Sequence, residues 1–116
     1  MLRLVAQHAD AWNTAWHADP KMVSDAWNNM LAACSEVGRD PATLELTVGT
    51  MAHPLGPGET SERSDGVITG SLEKVAQTLM AFGRLGASHV IVIARPRTVA
   101  GVERFGEVIR LMDQMA

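Results

Sequence analysis

Few residues of this 116-residue chain combine a reactive side chain with a position where chemistry could use it. The four histidines, His8, His17, His53 and His89, show no ligand spacing of the H-x-x-x-H kind, so the pattern describes no metal site. His53 follows a strand-like segment and enters a loop, where an imidazole can move protons near neutrality; it is the candidate acid–base residue. His89 opens an apolar run and reads as a core or boundary residue. Cys34 lies on the apolar face of a helical pattern without a basic neighbour, so it reads as an inert core thiol rather than a nucleophile. Arg95 closes the apolar run. Its planar fork suits bidentate pairing with phosphate or carboxylate, and the competing reading is a surface charge at a strand end. His53-Pro54-Leu55-Gly56-Pro57-Gly58 lacks the Lys and the following helix of a phosphate-cradling loop, and no G-x-G-x-x-G pattern occurs.

Local signals outline the elements that must hold these residues. Leu2, Leu4 and Val5 mark the tail of a helix over residues 2 to 8, and Ala9 to Asn13 reads as a short strand. Asp19-Pro20 is an N-cap followed by proline at the first helical position, and Val23, Trp27, Met30, Leu31 and Cys34 recur at helical spacing. Gly38 supplies the left-handed stop. Leu44-Glu45-Leu46-Thr47-Val48 alternates as a strand that runs to Thr50. Residues 53 to 70 hold Pro54, Gly56, Pro57, Gly58, Gly66 and Gly70 and are expected to form a long loop. Ser71 caps a helix carrying Leu72, Val75, Ala76, Leu79 and Met80, and Gly86 ends it. Ser88 to Ala94 is a β-branched run, expected to be buried on both faces as in a helix-covered parallel sheet. Val99, Val102, Phe105, Val108, Ile109 and Met112 form the last helical stripe. Trp16, Trp27 and the seven methionines are taken as packing residues.

Helix, strand, helix, strand, helix, strand, helix is the order of βαβ units with parallel strands. Hydrophobic residues make up 47% and charged residues 20%, which is globular rather than disordered composition. A net charge of −3 without any run of Lys or Arg offers no basic field for nucleic acid or an anionic membrane. One cysteine excludes an internal disulfide and fits a cytoplasmic protein. No stretch approaches the roughly 20 apolar residues of a membrane span.

Four segments together resemble the luciferase-like monooxygenase superfamily. Ala9-Asp10-Ala11-Trp12-Asn13 is similar to its A-D-G-W-N strand. Gly38-Arg39-Asp40-Pro41 with Leu44-Glu45-Leu46-Thr47 is similar to its G-R-D-P turn and following strand. Gly70-Ser71-Leu72-Glu73-Lys74-Val75-Ala76 resembles a G-T-P-E-E-V-A helix start, and Leu85-Gly86-Ala87-Ser88-His89-Val90-Ile91-Val92 resembles its last strand. The order and spacing match across nearly the whole chain. The resemblance implies a (β/α)8 barrel oxidoreductase or monooxygenase that uses FMN or the deazaflavin coenzyme F-420 (F420). Such a barrel needs about 250 residues, so the chain corresponds to its last three βα units, a partial TIM-type barrel forming one domain over residues 1 to 116. The first five strands have no counterpart, Ala11 replaces the usual glycine, and the loop before Gly70 is long.

Barrel chemistry sits at the carboxyl ends of the strands. On that implication Trp12 and Asn13 help wall the isoalloxazine pocket, with Thr50 and Arg95 completing the cofactor-binding set; core packing is the competing role for Trp12. The chain alone is expected to be inactive. Open sheet edges imply a homo-oligomer or the missing N-terminal part of a barrel as partner, and the rival reading is a non-catalytic half-barrel that self-associates.

Overall fold

The computed structural model describes residues 1–60 and 66–116. Its elements are α1 (Leu2–His8), β1 (Ala11–Ala15), α2 (Pro20–Val37), β2 (Glu45–Pro54), β3 (Val67–Gly70), α3 (Leu72–Arg84), β4 (Ala87–Ala94) and α4 (Val99–Met115), with a single 3-10 turn at Pro41–Thr43. The capping signals act where the sequence puts them. Asp19 accepts from the Lys21 amide at 2.9 Å, and Gly38 ends α2 with φ 72°. Ser71 accepts from the Lys74 amide at 3.1 Å and Thr98 from that of Gly101 at 3.0 Å. Each such cap satisfies an amide that the first helical turn leaves without a partner.

All pairings in the sheet are parallel, and β2 is its axis. β4 runs along one edge of β2, while β1 pairs with Glu45–Gly49 and β3 with Met51–Pro54 on the other. The carbonyl of Gly49 accepts from the Trp16 amide at 2.7 Å just past the end of β1.

Alternation along β2 then separates two faces. Leu46, Val48, Thr50, Ala52 and Pro54 are buried. The apolar members of this set meet Val23 of α2, Val75, Ala76, Leu79 and Phe82 of α3, and Val108 of α4. A second cluster, Ala6, Met30, Ala33, Cys34 and Leu44, fastens α1 to α2. On the opposite face Thr47, Met51 and His53 are only half-buried, and they join neither helix-packed cluster among the described residues.

Four expectations need correction. β1 spans Ala11–Ala15 rather than Ala9–Asn13, because register with Glu45–Gly49 sets its limits. β2 continues to Pro54, and β3 forms inside the expected loop of residues 53 to 70, since the distal half of β2 offers a free edge. The sheet therefore has four strands, not three. β4 is not buried on both faces: Ser88, His89 and Ile91 are exposed, and Ile91 retains 54% of its accessible surface. Its apolar sequence anticipates neighbours that the helices of this chain do not provide.

Candidate functional site

Register assigns the residues of the open face. Asn13 pairs with Thr47 and Thr47 with His89; Ala15 with Gly49 and Gly49 with Ile91; Met51 with Ile93, and His53 with Thr69. Paired residues share a face, so Asn13, Thr47 and His89 form one polar row across the sheet, and His53 with Thr69 lies farther along, beyond the apolar Ala15, Ile91, Met51 and Ile93. Gly49 is tightly placed in the middle: a Cβ there would come within 3.3 Å of the Ala15 Cβ, so the neighbour would have to give by a few tenths of an ångström.

Asn13 is exposed, and its Oδ1 accepts from the Thr47 hydroxyl at 2.8 Å, which leaves the amide NH2 to donate outward. Arg95 follows β4, where its backbone amide donates to the Ala52 carbonyl at 2.8 Å. Its guanidinium lies 3.6 Å from the Met51 sulfur and makes no carboxylate pair among the described residues. His53 is half-buried, with its carbonyl accepting from Thr69 Oγ1 at 3.1 Å. Asn13, His53 and Arg95 thus belong to one face of one sheet.

Trp12 and Thr50 do not join them. Trp12 stacks on Trp27 of α2 at a centroid separation of 6.0 Å and an interplanar angle of 21°, and it touches both core clusters. Thr50 is fully buried and donates to the His17 carbonyl at 2.7 Å. Both side chains lie on the helix-covered face, where they hold β1 and the turn after it. Strand parity is the cause, since a residue one step along a strand faces the other way.

Two residues that sequence reading left as packing or background stand in that turn. Trp16 is 57% exposed and has φ 66°, the left-handed region, as the sole described non-glycine residue with positive φ. His17 Nε2 lies 2.7 Å from Thr14 Oγ1. Placing β1 two residues later would have revealed them, because Trp16 and His17 then directly follow a strand.

In the segment that follows β2, Glu59 accepts from Arg104 of α4 at 2.6 Å. That hydrogen bond holds the Glu59 carboxyl below its ordinary value and raises Arg104 in return. Among the described residues no three His, Cys, Asp or Glu side chains come together to hold a metal.

No protein-family model matches the sequence, and no curated protein does either. Solved structures supply a likeness: an F420-dependent secondary alcohol dehydrogenase in complex with an F420–acetone adduct superposes with a TM-score of 0.66 at 15% identity. The fold is similar to part of that enzyme. The match takes in 96% of this chain and 45% of that one, so the chain spans less than half its length. At this identity the two share a fold, an α/β arrangement with a parallel sheet. No helix among the described residues is long and apolar enough to cross a membrane.

Proposed function

We propose that this chain is the C-terminal part of a luciferase-like (β/α)8 barrel oxidoreductase and supplies one wall of its F420 or FMN pocket. The observation that carries the reading is the open sheet face, with His53 and Arg95 at the carboxyl ends of β2 and β4 and Asn13 within β1 on the same face, in a fold similar to part of an F420-dependent enzyme. The donor set fits the group. A guanidinium without a carboxylate partner among the described residues can meet an anionic tail, and the Asn13 amide can donate to the edge of a planar ring. When bound, the cofactor supplies hydride transfer or oxygen activation. The chain's own part is to bind and orient: Arg95 anchors negative charge, Asn13 fixes the ring edge, and His53 holds or releases a proton at its imidazole. Trp12 and Thr50 are positioning residues behind this wall. The other wall comes from outside the chain, which alone turns over no substrate.

A fluorescence titration of the full chain with FMN and with F420 tests the reading. Saturable binding near micromolar, about −8 kcal/mol, with a loss on the order of tenfold in Arg95→Ala, is the expected result. Binding of neither cofactor refutes a cofactor-binding wall in this chain and leaves it a non-catalytic fragment of the barrel.

A second reading, self-association without catalysis, is favoured by the exposed Ile91 and by β4 pairing with β2 alone among the described strands. It predicts a discrete oligomer in light scattering that Ile91→Lys dissociates. A stable monodisperse monomer excludes it.

A further inference from the structure

The strained turn after β1 presents an aromatic side chain that the fold itself does not use. A bulky residue with positive φ is a backbone outlier, because its Cβ crowds the following carbonyl. Trp16 adopts φ 66° and still leaves 57% of its surface in solvent. It belongs to neither core cluster, unlike Trp12 and Trp27. Asparagine or glycine would satisfy this backbone with less strain, so the turn alone does not explain a tryptophan here.

Flanking contacts over-determine the conformation. The Trp16 amide donates to the Gly49 carbonyl at 2.7 Å. One residue on, the His17 carbonyl accepts from the buried Thr50 hydroxyl at 2.7 Å, and the His17 ring meets Thr14 Oγ1 at 2.7 Å. Thr14 and Thr50 are both buried, so the anchors are rigid. Strain held in place by surrounding structure collects at ligand clamps and active sites. Trp16 also stands at the carboxyl end of β1, with Gly49 and then β4 beside it. Two strand spacings, roughly 10 Å, separate it laterally from the strand that ends at Arg95.

We infer that Trp16 is an aromatic platform, held in the left-handed turn after β1, on which the planar heteroaromatic ring of the bound ligand stacks. The inference rests on the flavin or deazaflavin reading above and adds a ring-recognition residue to the anionic contact of Arg95. Ring and tail are recognised by different strands: β1 presents the stacking surface, and the end of β4 presents the guanidinium.

The test titrates the full chain with FMN, F420 and lumiflavin, a flavin ring without a phosphate tail. Trp16→Asn is expected to weaken all three on the order of tenfold, the scale of one aromatic stack. Trp16→Phe, which keeps a ring, is expected to stay within about threefold of wild type. Arg95→Ala should weaken FMN and F420 but not lumiflavin. Thermal melting of the ligand-free proteins separates a platform from a packing residue. Relief of strain should leave Trp16→Asn melting at or above the wild-type temperature, whereas a packing role would lower it by several degrees. Unchanged lumiflavin binding in Trp16→Asn, or a lower melting temperature with unchanged affinity, overturns the platform while cofactor binding stands. Absence of FMN and F420 binding in the wild type removes the functional reading and the platform with it.

Discussion

Gly101 and Gly106 lie five residues apart in α4, and the same substitution should shift stability in opposite directions at the two sites. A Cβ built on Gly101 would fall 2.0 Å from the Pro96 carbonyl oxygen, 3.0 Å from its carbon and 3.1 Å from its nitrogen. These are backbone atoms, and the Pro96 oxygen is further tied by the Thr98 amide at 2.8 Å. Relief requires the first turn of α4 to move away, which opens the 3.0 Å cap from the Gly101 amide to Thr98 Oγ1. Overpacking of this kind costs about 1–3 kcal/mol and loss of a cap about 1 kcal/mol. Alanine's better helix propensity returns about 1 kcal/mol. Gly101→Ala is therefore expected to destabilise the chain by about 1–3 kcal/mol. Nothing lies within 4 Å of a Cβ on Gly106, so Gly106→Ala should gain about 0.5–1 kcal/mol from propensity alone. Urea unfolding at fixed protein concentration measures both, read as midpoint shifts with an unchanged slope. A Gly101→Ala midpoint at or above wild type would refute the packing argument for the α4 start.

Arg39 joins elements that are far apart in sequence: its guanidinium donates to the carbonyls of Ala6, Ala9 and Thr43, and to the Thr43 hydroxyl. Arg39→Ala should destabilise by about 2 kcal/mol, the scale of a half-exposed charged hydrogen-bond group, and should free α1; a change below about 0.5 kcal/mol in urea unfolding counts against it. The Glu59–Arg104 pair carries a pH signature. Glu59 has its folded value lowered by Arg104, so its contribution is full above the ordinary 4.5 and fades as pH falls through the lowered value. Melting temperatures of wild type and Glu59→Gln should differ at pH 7 and converge in acid. A difference that stays constant down to pH 3 would show that the pair is not the cause.

Much of the fold was legible in local chemistry. Asp19-Pro20, Gly38, Ser71 and Gly86 delimit helices because capping involves only a few adjacent backbone groups. The G-R-D-P segment, which carries part of the family resemblance, also has a plain structural meaning. Gly38 takes the left-handed stop, Arg39 collects the carbonyls, and Asp40 caps the turn through the Ala42 amide at 3.0 Å. β3 was not legible. A four-residue strand shows too few periods to read, and Val67–Gly70 extends only because the end of β2 has a free edge. Asn13, within β1, and Arg95, just past β4, fall on the open face, whereas Thr50 and Trp12 turn to the helices. A boundary known to within two residues cannot determine parity, and parity decides the face.

By itself the sequence determined the α/β order apart from β3, the helix limits and the identity of the residues with chemical capacity. All of these follow from interactions spanning a few residues. Tertiary structure decided which strand lies at the centre, which polar residues share a surface, and that the most apolar strand, Ser88 to Ala94, keeps one side in solvent. It also placed Trp16 in a left-handed turn at the mouth of the sheet. Register and burial depend on partners far along the chain, and a run of β-branched residues carries the need for burial without saying what will cover it.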